Sequence, residues 1–254
     1  MKITTAVDSH AANRWKGNAM RRIVDIGRRI ELVPIDPHFH DITIGLYRQQ
    51  TVDATTGQQF PVFSVHTYSH ISGAVNRIEA IRQAMQILGG MLRTPDGLLY
   101  FPCKDGHEAA CRRVFLEACK LGPNTRAEPR PLNILDRKSQ LTIKVDSIGK
   151  GVYRVRAEGE GRGAARRVSA IAGGLMKLGE MRSIETDAKR TENSSTDTFD
   201  KARVLGSTVA FDCGTSHDAL VGLLLVRAPN VRVVLREEEM EASRGVLSAP
   251  SQQM

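Results

Sequence analysis

The sequence predicts an α+β protein made by an internal tandem duplication of a β-β-α-β-α unit. Mostly antiparallel sheets carry helices packed on one face, and the two copies are related by a pseudo-twofold. Three observations lead there: an ungapped repeat, a pair of alternating segments at the start of each copy, and a matched pair of amphipathic helices. Gly73–Met91 laid over Gly163–Met181 at a constant offset of 90 gives eight identities in 19 pairs, including Arg77/Arg167, Ile81/Ile171 and Gly89/Gly179; chance predicts about one. Further on, Phe101-Pro-Cys-Lys-Asp-Gly-His-Glu-Ala matches Phe211-Asp-Cys-Gly-Thr-Ser-His-Asp-Ala, after extra residues in the second copy.

The elements can be justified in order. Residues 1–30 hold a basic segment in which Trp15, Ala19, Ile23, Ile26 and Ile30 recur at spacings of three and four, so Ser9–Ile30 is expected as an amphipathic helix. The first unit spans 31–125. Asp41–Gln49 and Phe60–Tyr68 alternate and are rich in β-branched and aromatic residues, the pattern of a hairpin. Val75, Ile78, Ile81, Met85 and Leu88 then define a helix face, with Gly89 placed for a C-cap. Leu98–Pro102 is a short apolar strand that leads into a helix starting near His107.

The second unit spans 130–236. Its hairpin is Leu141–Asp146 and Gly151–Ala157 around a turn at Ser147–Lys150, and its first helix carries Val168, Ile171, Leu175 and Leu178 before Gly179. A polar insertion at 183–203, poor in large apolar residues, reads as a surface loop. Thr208–Asp212 is the matching strand, and a helix follows from His217. Within it Ala219–Val226 is apolar on every side and needs cover on every side, which favours one body over two. Val231–Leu235 is strand-like, and 237–254 reads as a tail.

Composition bounds the function. The 254 residues carry a net charge of +8, with 25% charged and 5% aromatic residues, and no run approaches the roughly 20 apolar residues of a membrane span. The first residues lack the apolar centre of a secretory signal, so a cytoplasmic protein without a membrane partner is expected. The four cysteines form no CxxC pair. Residues 1–150 hold net +7 and residues 151–254 net +1, so the basic excess belongs to the first part. GxxxxGK[ST], HExxH, GxSxG and EF-hand patterns are absent.

Three groups of residues could carry chemistry. The first is the twin Cys103-x-x-x-His107 and Cys213-x-x-x-His217, each at a strand end running into a helix start, where the dipole lowers a thiol's pKa. Two such pairs brought together would make a tetrahedral zinc set, while the bland alternative is a small buried Cys and a His dressing a helix end. The second is Gly159-Glu-Gly161-Arg162-Gly163 with Arg166, whose amides and guanidinium groups could hold a phosphate, or which could be tight-turn glycines only. The third is His38, His40 and His66, able to hold zinc or iron, with His66 and His70 as acid–base groups.

The reading that follows is a protein that binds a small anionic or phosphorylated ligand in a cleft between its halves. As an enzyme it would use Cys103, His107, Cys213, His217, His66 and His70. The alternatives are an RNA-binding module using Arg14, Arg21, Arg22, Arg28 and Arg29, a protein that binds zinc or iron, and a homo-oligomeric structural protein.

Overall fold

The alternating segments become two long hairpins, and each hairpin is widened into a sheet by short strands on both sides. The computed structural model describes residues 27–34, 42–67, 73–122, 124–158, 163–184 and 206–236, together with Met240. The first half runs β1 (Arg28–Pro34), β2 (Thr43–Val52), β3 (Gln59–Thr67), α1 (Ala74–Gly89), β4 (Leu92–Arg93), β5 (Leu99–Tyr100) and α2 (Glu108–Lys120). The second runs β6 (Asn133–Asp136), β7 (Leu141–Gly149), β8 (Val152–Glu158), α3 (Ala164–Gly179), β9 (Arg182–Ile184), β10 (Ser207–Ala210) and α4 (Asp218–Arg227). The strands of each half form one five-stranded sheet, ordered β1-β2-β3-β5-β4 and β6-β7-β8-β10-β9. Every pairing is antiparallel. The class is α+β, and the order within each half is β-β-β-α-β-β-α, two strands richer than the sequence pattern suggested.

Several expectations need correction. Residues 28–30 of the expected N-terminal helix belong to β1, where Leu32 and Val33 pair with Gly45 and Ile44 of β2; the rest of that segment, 1–26, lies outside the described residues. The second hairpin does not turn at Ser147–Lys150. Gly149 pairs with Val152, so Lys150 and Gly151 make the turn, both at positive φ (51° and 71°) as a tight two-residue hairpin requires. Ser183 and Ile184, expected in a loop, pair with Val209 and Thr208 in β9 and β10; residues 185–205 lie outside the described ones. Residues 231–236 are helical rather than extended, after a 3₁₀ turn at Ala228–Asn230. There Val234 is buried with Val231 and Leu235 against the core, a helical spacing that the sequence reading took for alternation.

Gly89 and Gly179 were expected as C-caps, but each is the last residue of its helix. The left-handed caps are Gly90 (φ 63°) and Glu180 (φ 54°). Close packing explains the two glycines instead: a Cβ on Gly89 would meet Val114 of α2 at 3.0 Å, and one on Gly179 would meet Leu224 of α4 at 2.9 Å. The α1 face is Ala74, Ile81, Ala84, Met85, Leu88 and Gly89; Val75, expected on it, is 76% exposed.

The two halves share one core. Apolar residues from both sheets and all four helices form a single buried cluster, and the contacts between halves are reciprocal, with α1 against α4 and α2 against α3. Arg113 of α2, buried at 6% exposure, donates to the Leu178 carbonyl at the end of α3. Arg227 of α4 reaches Glu117 of α2. Helix α4 buries Leu220 through Leu225 without a break, as its all-round apolar sequence requires. No helix among the described residues is long and apolar enough to cross a membrane.

Two predictions follow from this packing. Gly222 sits where a Cβ would lie 2.2 Å from the Arg130 carbonyl oxygen, so Gly222→Ala should destabilise the protein by about 1–3 kcal/mol through overpacking, read from the urea midpoint. Asp136 of β6, 3% exposed, accepts from both Arg167 Nε and Nη2 at 2.6 Å, and the bond to Arg167, helped by Ser139, holds its carboxyl at about 2. Because the folded value is depressed, the stabilisation of about 2 kcal/mol is complete above about pH 4 and disappears as pH falls towards 2. Asp136→Asn should flatten that limb of the stability profile and lower the melting temperature at pH 7.

Candidate metal centre

The two Cys-x-x-x-His segments are built alike. Phe101 follows β5, and Lys104 N donates back to its carbonyl at 2.8 Å; Phe211 follows β10, and Gly214 N does the same at 3.3 Å. Each turn therefore carries its cysteine at the third position, followed by a residue at positive φ, Lys104 (62°) or Gly214 (65°). The chain then enters the next helix with a histidine as N-cap: His107 before α2 and His217 before α4. Their carbonyls accept the first helical hydrogen bonds, from Cys111 N and Val221 N. The turn aims the thiol and the cap aims the imidazole towards the same space.

Because α1 meets α4 and α2 meets α3, the two spaces are one. Cys103, His107, Cys213 and His217 offer four ligand atoms that all lie within 4.8 Å of one another. Cys213 Sγ is 3.3 Å from His217 Nε2, and the two imidazole rings are 5.0 Å apart. Phe101 and Phe211 close the sides, their rings 4.9–5.7 Å from both histidines. His217 is 4% exposed. His107 Nε2 is buried without a hydrogen-bond partner.

Burial sets the electrostatics. It pushes the Cys103 thiol up to about 12, against the opposing pull of the Asp105 N–H on its sulfur. The expectation that a helix start would lower a thiol's pKa is thus reversed at Cys103: desolvation outweighs the one lowering contact, from the Asp105 N–H. Burial, then the neighbouring His107, push His217 down to about 4, and burial lowers His107 as well. Both imidazoles are therefore neutral at pH 7, the form that ligates metal.

The remaining residues singled out from the sequence do not join this group. His66 lies on β3, half-buried against the Tyr47 ring at 5.7 Å, and burial and then Arg82 lower its pKa. His38, His40 and His70 lie outside the described residues, as do Gly159, Gly161 and Arg162. Gly163 caps α3 at φ 91°, as Gly73 caps α1 at φ 95°, and neither has any atom near an added Cβ, so both positions need glycine for the backbone angle alone. Arg166 is exposed. Of the basic residues considered for RNA, Arg14, Arg21 and Arg22 lie outside the described residues, Arg28 pairs with Glu108, and Arg29 is exposed on β1.

Tyr153 escaped the sequence reading. Its hydroxyl donates to Asp218 Oδ1 at 2.9 Å and accepts the His217 N–H, fixing the start of α4. Carried upstream, the offset of 90 sets Tyr153 opposite Phe63, and this apolar-to-polar change was the available signal. No protein-family model, curated protein or solved structure matches this chain. Tyr153→Phe should keep the fold, since Phe63 fills the corresponding place, while leaving the His217 N–H unpaired at a cost of about 1–3 kcal/mol, measured by urea unfolding.

Proposed function

We propose that the protein is a metal-binding protein that holds one zinc ion between its two halves through Cys103, His107, Cys213 and His217. The observation that carries this reading is the convergence of four soft or borderline donors, two from each half, within 4.8 Å. A tetrahedral zinc with bonds of about 2.3 Å to sulfur and 2.0–2.1 Å to nitrogen has ligand–ligand edges of about 3.3–3.8 Å, so small side-chain adjustments suffice. A mixed S₂N₂ set favours zinc, or iron as an iron–sulfur cluster. Four donors this close suit a single ion, because a two-iron cluster would divide them between two metals. The unpartnered His107 Nε2 gains a partner.

A set of four protein ligands with no open position is the composition of a structural zinc centre. Its role here is to fasten α2 and its turn to α4 and its turn. Binding requires both thiols to lose their protons and both imidazoles to stay neutral. The small-anion reading has less support, since the one glycine of that stretch among the described residues, Gly163, serves the backbone angle of the α3 cap.

Protein purified without chelator should contain about one zinc per chain by mass-spectrometric elemental analysis. Cys213→Ser and His107→Ala should each lose most of it. Chelation should lower the melting temperature while preserving helix content, because the shared core persists without the ion. A wild-type chain that takes up no zinc or cobalt(II) at micromolar metal would overturn the reading.

A further inference from the structure

The two sulfurs of the centre come from different halves and lie within 4.8 Å of each other. Cys103 and Cys213 are both only part-buried, whereas Cys111 and Cys119 are buried inside α2. A small oxidant can therefore reach one pair of thiols, and each member of that pair has the other sulfur within 4.8 Å. In the zinc-bound state both sulfurs would be thiolates, the nucleophilic form.

We propose that the centre is a redox-responsive clasp, in which a peroxide converts Cys103 and Cys213 into a disulfide across the two halves and expels the ion. This rests on the metal-binding reading for the ion and on the sulfur geometry alone for the disulfide. One thiolate attacks a peroxide oxygen: an S–O bond forms, the O–O bond breaks, and the departing hydroxide takes up a proton as water. The sulfur is then a sulfenic acid. The second thiolate attacks that sulfur, the S–S bond forms, the S–O bond breaks, and hydroxide again leaves as water after protonation. Two thiolates lose two electrons, hydrogen peroxide gains two electrons and two protons, and the zinc departs because His107 and His217 alone hold it weakly.

The halves remain joined afterwards. A metal clasp is replaced by a covalent one between the same two turns, so the response is release of the ion rather than separation of the halves. A thiol reductant reverses it.

The experiment treats the zinc-loaded full chain with hydrogen peroxide and follows zinc release with a chromophoric chelator and intact mass under non-reducing conditions. Trypsin places the four cysteines on four peptides, 94–104, 105–112, 114–120 and 204–227, so the partners can be read directly. The expected result is one zinc released per chain, a loss of two hydrogens, and a linked 94–104/204–227 pair that dithiothreitol separates. Cys213→Ser should instead give a dimedone adduct at Cys103. Sulfinic acids without a disulfide, or a linkage through Cys111 or Cys119, would overturn the proposal. Metal-free protein run in parallel separates the two readings. The 94–104/204–227 link in protein that never binds zinc would discard the ion and keep the thiol pair; bound zinc with no such link would do the reverse.

Discussion

The structure depends on the need to bury α4 on all sides. A helix with Leu220 to Leu225 all inaccessible has no face to turn to water, and the elements of its own half cannot enclose it. Helix α3 covers one side, closely enough that Gly179 must lack a side chain. Strand β6 and the Arg130 carbonyl at Gly222 cover another. The rest of the cover comes from α1 and α2 of the first half. Joining the halves is thus forced by apolar area, with each fully buried leucine contributing about 1.5–3 kcal/mol. The Cys/His cluster is a consequence of that packing, because His217 is the N-cap of this helix and is brought against His107.

The two half-sites are alike in their turns but differ in what surrounds them. In the second half Tyr153 and Asp218 bind inward, tying the start of α4 to β8 and setting the His217 backbone. In the first half the corresponding residues are Phe63 and Glu108. Glu108 turns outward to Arg28 and Arg48, so the start of α2 is tied to β1 and β2 instead. His107 is left in a left-handed conformation, φ 35°, where a non-glycine residue is held only if its surroundings enforce it. The two ring contacts with Phe101 and Phe211 are part of that enforcement.

Legibility in the sequence followed the strength of each periodic signal. The hairpins β2–β3 and β7–β8 and the helices α1 and α3 were readable because alternation or a 3.6-residue period runs through each of them. Strand β1 was hidden because Ile30 continues the three-and-four spacing of Ile23 and Ile26, so a helical pattern ran into a strand. Strands β4, β6 and β9 have only two to four residues, too few to show a period, and they exist because a neighbouring strand offers an unpaired edge. The twin Cys/His motif was visible in the sequence as two equal spacings, and its four side chains come together in the fold. What the sequence could not carry was how far burial raises the Cys103 thiol, since that depends on what encloses it in the fold.

The position of the Cys/His cluster in the chain explains why extra residues between its two pairs can be borne. Cys103 and His107 stand 110 residues before Cys213 and His217, and residues 185–205 fall inside the loop so closed. Bringing the two pairs together closes a loop of that size, and loop-closure entropy grows only with the logarithm of length. Adding about 20 residues to a loop of about 90 changes this by roughly 0.2 kcal/mol. The second half can therefore carry extra chain between β9 and β10 at almost no thermodynamic cost to the junction, provided that both strands keep their places. They do: Thr208 pairs with Ile184 and Ala210 with Arg182, so β10 delivers Phe211 and Cys213 to the site regardless of what the intervening residues do.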